Sequence, residues 1–205
     1  MKKIIFFIAI ITSLEMKGQI NFTPYNSAYL GKTFKTSISI KDTSHYSMYI
    51  DMYSLDKLHK DNVGITYNEK DHISFLKTLS EAKVKYNEWV KTAQANKVTI
   101  LEEKEMTYKF NPMGYFLFGS DYHFDATTTL KFDFKIVNSN GVVDYLLLIR
   151  SNELQSSKNQ FMNIDGVAFV FNSNEEIQRF IDDLSAEKIK EFIIQKQSSA
   201  NLFKD

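Results

Sequence analysis

The chain has 205 residues, with 25 basic and 25 acidic side chains, 17 Phe, 11 Tyr, seven Gly, two Pro and no Cys. That length supports one domain with a sizeable core. The charge balance excludes a whole-molecule field that recruits nucleic acid, and the missing cysteine excludes disulfides, thiolate metal sites and a cysteine nucleophile.

The chain opens on Lys2 and Lys3, followed by an apolar run from Ile4 to Leu14. A run of this length falls short of the ~20 residues a bilayer span needs, and it fits a secretory signal over residues 1–18. The expectation is an exported protein, periplasmic or extracellular, with no transmembrane span after cleavage. Residues 19–205 then form a single α+β domain, with 19–30 and 196–205 poorly ordered.

Phe34, Thr36, Ile38 and Ile40 alternate with polar residues, as do Tyr46, Met48, Ile50 and Met52. Both stretches read as half-buried strands, and the polar turn 41–44 between them suggests a hairpin. Residues 54–64 read as irregular, with one helical turn around Leu55 and Leu58. From Asp71 to Ala95 the period becomes helical: Phe75, Leu76, Leu79, Ala82, Tyr86, Trp89, Val90 and Ala93 form one stripe. Asn68 or Asp71 fits the N-cap, and Asn96 fits the end. Residues 98–110 read as a long strand whose inward side is interrupted by Glu102 and Lys104.

Leu130, Phe132, Phe134 and Ile136 alternate with Lys131, Asp133 and Lys135, and Asn140-Gly141 follows before the apolar run 142–149. Asn-Gly is a strong hairpin signal because both residues tolerate positive φ. A two-residue loop there predicts Ile136 opposite Tyr145, Phe134 opposite Leu147 and Phe132 opposite Ile149. The leucines on the second face make 142–149 the more central strand. Asp165-Gly166 reads as a tight hairpin or a bulge. Ser173 and Glu176 match a capping box ahead of a helix, and a second helix follows a bend at Ser185.

The fold class expected is α+β: an antiparallel sheet of about six to eight strands, curved or partly barrel-like, packed by one long helix, with two short C-terminal helices. The residues carry no nucleophile elbow, phosphate loop, paired-histidine zinc motif or dinucleotide fingerprint, and no cofactor is implied. Asp121, His123 and Asp125 alternate along a strand and are the one compact metal-ligand candidate; otherwise they form a wet edge with Tyr122 and Phe124 turned inward. Asp56 and His59, and the carboxylates Glu102, Glu103 and Glu105, read as solvated.

The leading functional expectation is an exported, non-catalytic binding module. It takes a small apolar molecule or glycan in a pocket between sheet and helix, lined by Tyr49, Tyr53, Tyr115, Phe116, Tyr122 and Trp89. The alternatives are a cell-envelope protein that docks a partner protein, and a hydrolase with a dispersed site around His123.

Overall fold

The computed structural model of the chain describes residues 18–201 apart from 43, 59 and 60, and side chains as far as residue 198. The signal segment expected over 1–18 and His59 therefore lie outside the described residues, Gly18 excepted. In chain order the strands are β1 (Gln19–Asn21), β2 (Tyr25–Ser27), β3 (Lys32–Phe34), β4 (Thr36–Ile40), β5 (Tyr46–Asp51), β6 (Tyr53–Ser54) and β7 (Val63–Asn68). Helix α1 (Glu69–Ala95) follows. Then come β8 (Leu101–Phe110), β9 (Met113–Phe118), β10 (Asp121–Thr127), β11 (Leu130–Ser139), β12 (Val142–Arg150), β13 (Leu154–Gln155), β14 (Asn163–Ile164) and β15 (Val167–Phe171). Helices α2 (Asn174–Asp183) and α3 (Ala186–Asn201) close the chain.

The fold is a sheet-rich α+β arrangement, but the single sheet expected is divided. One sheet has six strands in the order β1-β4-β5-β7-β9-β10, and a second has five in the order β6-β15-β12-β11-β8. Two short pairs, β2-β3 and β13-β14, stand outside them. The chain crosses between the large sheets at short corners, Met52 between β5 and β6, Asn111-Pro112 between β8 and β9 and Thr128-Thr129 between β10 and β11, as well as through the β6-β7 connection and α1. Alternating side chains record which face of a strand is dry, not which sheet it joins, so these corners leave no periodic signal.

Helix α1 contacts strands of both sheets. Asn68 caps it, its side-chain oxygen accepting from the Lys70 and Asp71 N–H groups. At the far end Val98 N–H reaches Ala93 C=O (2.9 Å) and Lys97 N–H reaches Gln94 C=O (3.2 Å). Lys97 takes the left-handed conformation there, φ +54°, a position glycine usually fills. Phe75, Leu79, Ala82 and Tyr86 are buried along the stripe, so the space between helix and sheets is filled over most of its length.

The hairpin register is the one the sequence predicts: Ile136 faces Tyr145, Phe134 faces Leu147 and Phe132 faces Ile149. Asn140 and Gly141 both have positive φ, as the two-residue turn requires. Strand β12 is the middle strand of its sheet, and β11 lies one strand in from the β8 edge. The interruption read at Glu102 and Lys104 is resolved by a register shift: Phe134 pairs with Lys104, but Ile136 pairs with Leu101. The bulge turns Leu101 and Lys104 to the helix side, and Glu103 binds Arg150 on the other face.

Several expectations are corrected. Strand β7 occupies residues read as irregular and beyond, and no helical turn forms at Leu55 and Leu58, which are exposed. Asp165-Gly166 is not a hairpin, because β14 pairs with β13 while β15 pairs with β12 and β6. Residues 19–30 contain β1 and β2, and Tyr25 is buried. The tail is helical to Asn201. No helix among the described residues is long and apolar enough to cross a membrane.

Candidate functional site

Strand β5 alternates cleanly. Met48 and Ile50 point into the core, so Tyr49 and Asp51 point outward. Register then aligns three residues across neighbouring strands: Asp51 pairs with Gly64 of β7, and Gly64 pairs with Tyr115 of β9. The Tyr115 side chain crosses the glycine, and its hydroxyl donates to Asp51 Oδ1. A Cβ at residue 64 would stand 2.8 Å from the tyrosine oxygen and 2.0 Å from Ile50 C=O, so the crossing requires glycine.

Phe124 completes an aromatic group on this outer face. Its ring lies 5.9 Å from Tyr49, 5.8 Å from Tyr115 and 5.8 Å from Tyr122, the last pair stacked. Tyr115 is buried beneath the others, Tyr49 and Tyr122 are half-buried, and Phe124 is 38% exposed. Burial raises the Asp51 carboxyl above its ordinary range, against the lowering effect of the Tyr115 hydrogen bond and Lys35. Burial, and then the Asp51 charge, push the Tyr115 hydroxyl well up.

Asp51 also lines a cleft of about 380 Å³ beside this group, with Lys32, Lys35, Tyr53, Asp61 and Asn62. The Lys32 ammonium sits 5.1 Å from the centre of the Tyr53 ring. Two ammonium and two carboxylate groups balance one another across the cleft.

Of the six ligand-lining residues the sequence suggests, Tyr49, Tyr115 and Tyr122 come together, and Tyr53 lies in the adjoining cleft. Phe116 is a fully buried core residue. Trp89 stands elsewhere, half-buried on α1 with its ring 5.7 Å from Phe134. The tyrosines that come together do so on the outer face of the six-stranded sheet, away from α1, while Trp89 lines a separate groove between α1 and the five-stranded sheet. The sequence reading missed Asp51, two residues from Tyr49 on the same face, and Phe124, two residues from Tyr122. Spacing of two was the signal for both.

The Asp121, His123 and Asp125 arrangement does not assemble as a ligand set. Among the described residues no three His, Cys, Asp or Glu side chains are placed to hold a metal ion. His123 stacks on the core ring of Phe116 at 5.4 Å, so Tyr122 and Phe124 face outward instead of inward. Asp125 instead accepts from Ser156 Oγ, Ser157 Oγ and the Lys158 N–H, and these bonds hold its carboxyl below the usual range. His45 pairs with Asp42 on an exposed turn, and His72 is buried in the core. Glu102, Glu103 and Glu105 are exposed.

Comparison with family models, curated proteins and solved structures finds no match to this chain.

Proposed function

We propose that the chain is an exported, non-catalytic binding module that takes a neutral saccharide on the outer face of the six-stranded sheet. The observation that carries this reading is the group of rings gathered outside the core around one carboxylate. Tyr49, Tyr122 and Phe124 offer apolar faces to the C–H side of a sugar ring, while Asp51, Asn62 and the lysines offer hydrogen-bond partners to its hydroxyls. The balance of charge in the cleft favours an uncharged ligand over an anion or a cation. Asp51 is held by Tyr115, so it is preorganised as an acceptor. Export rests on the apolar segment Ile4 to Leu14 behind two lysines.

The test is calorimetric titration with cellohexaose, maltohexaose, chitohexaose and mannohexaose. One of them is expected to bind with Kd below about 1 mM, and Tyr122→Ala and Phe124→Ala each to weaken it about five- to tenfold. Silence from all four, or binding that survives the double variant, overturns the reading.

A further inference from the structure

The packing between α1 and the five-stranded sheet stops short of the C-terminal end of the helix. Beyond Tyr86 an open groove of about 320 Å³ remains, lined by Trp89, Ala93, Val98, Leu101, Phe134 and Ile136, with Lys104 at its edge. Two local irregularities build it. The bulge in β8 turns both Leu101 and Lys104 toward the helix, and the left-handed Lys97 folds Val98 back over the last turn. The lining is mainly aliphatic and aromatic, with Thr92 and Asn96 of the helix as its uncharged polar members, and Phe134 and Ile136 below it are almost wholly buried.

The charge at the edge is positive. Lys104 Nζ lies 4.7 Å from the centre of the Trp89 ring, and Lys85 Nζ lies 5.8 Å from it. Lys85 is paired with Glu88 at 2.8 Å. Among the described residues no carboxylate pairs with Lys104. The Ala93 and Gln94 C=O groups at the end of α1 accept from the Val98 and Lys97 N–H groups, and Lys104 is the one charged side chain among the described residues lining the groove.

We propose that this groove binds a free fatty acid, its alkyl chain between Trp89 and Ile136 and its carboxylate on Lys104. An apolar trough with one unpaired ammonium at the rim fits a single-chain anion, and its volume lies at the small end of ligand pockets, which suits one chain. This site is separate from the saccharide face and does not depend on it.

Trp89 is the one tryptophan of the chain, so its emission reads this groove alone. Octanoate, decanoate and dodecanoate, each below its micelle concentration, are titrated while emission is followed. 1-Decanol and decyltrimethylammonium serve as head-group controls. Saturable changes are expected, tightening about fourfold per added methylene. Decanoate should bind more tightly than decyltrimethylammonium. Lys104→Gln, an exposed substitution that leaves the core untouched, should weaken decanoate about three- to fivefold and leave 1-decanol unchanged. Val98→Asp, at the mouth, should weaken both.

Equal binding of the anion and the cation overturns the proposal, as does an unchanged decanoate affinity in Lys104→Gln. Emission that moves only with phosphatidylglycerol vesicles, and not with monomeric acid, overturns it in favour of a membrane surface.

Discussion

His72 is the residue whose chemistry reports most directly on folding. It sits in the first turns of α1, wholly buried, with Nε2 2.7 Å from the Leu184 carbonyl that ends α2. Nδ1 is buried without a partner, as is the hydroxyl of Tyr67, whose ring centre lies 5.7 Å from the imidazole. Nε2 therefore carries the proton and donates it to the carbonyl, which leaves the ring neutral. Burial lowers the imidazole below its ordinary value of 6.5. The unfolded chain then binds a proton that the folded one refuses. The stability tied to neutral His72 is fully present above pH 6.5 and is lost as the pH falls toward the folded-state value. Asp51 and Asp133, both raised by burial, act in the opposite sense, so the comparison must be with a variant. His72→Gln keeps an amide donor for Leu184 without the titration. Urea unfolding at about pH 7.5 and about pH 5.5 should show a larger loss for the parent chain than for the variant. Parallel losses would remove His72 as the sensitive group.

Among the elements, α2 shows how a helix cap acquires a second task. Ser173 Oγ accepts from the Glu176 N–H at 3.1 Å, the first half of the box the sequence displays. The Glu176 carboxylate is buried and, instead of returning to the Ser173 N–H to close the box, reaches one residue further back and across to the N-terminal hairpin. Oε2 accepts from the Asn172 N–H at 2.9 Å and Oε1 from the Ala28 N–H at 2.9 Å, with the Tyr25 hydroxyl 3.2 Å away as a weaker second arm of the proton it gives to the Val170 carbonyl. It ties the N-terminal hairpin β2-β3 to the start of α2. Ser173→Ala removes one cap bond and should cost about 1 kcal/mol. Glu176→Ala leaves two backbone donors without their acceptor and should cost about 2–3 kcal/mol by denaturant unfolding. Equal costs would mean that Glu176 is only a cap.

The same element marks where sequence reading ends. The box was legible because both residues lie within one turn. The partners Tyr25 and Ala28 were not, since nothing local to α2 names a contact about 150 positions away. Likewise the β11-β12 register was legible from Asn140-Gly141, whereas β2 and β3, of three residues each, are too short to show a period. Strand β7 did alternate, with Val63, Ile65 and Tyr67 buried, but Gly64 resembled loop sequence. Its role appears only once Tyr115 is laid across it. The aromatic face was half legible: its rings could be named, but their meeting depends on the β5-β7-β9-β10 order.

For the whole molecule, the question is what finishes the second sheet where its edge strand stops. Strand β6 pairs with β15 only at Val167 and Ala168, so the Val170 carbonyl has no partner from β6. The hydroxyls of Tyr25 and Ser27 both donate to it at 2.9 Å. The Tyr25 ring meanwhile packs on Phe34, Phe169, Phe171 and Phe180, at centre separations of 5.9, 5.9, 5.2 and 4.9 Å. One side chain thus satisfies a sheet edge and fills the junction of β15, α2 and the hairpin. Deleting residues 19–31 strips away that cover together with β1, the outer strand of the other sheet. Three phenylalanines and an unpaired edge then face water, a combination that promotes association. The truncated chain should bind an apolar dye strongly and unfold at lower urea, with a shallower transition than the parent. Tyr25→Phe, which keeps the ring and removes one donor, should cost only about 1 kcal/mol, because Ser27 still serves Val170. A truncated chain that keeps the parent midpoint would show that the two sheets and α1 hold together without the N-terminal hairpin.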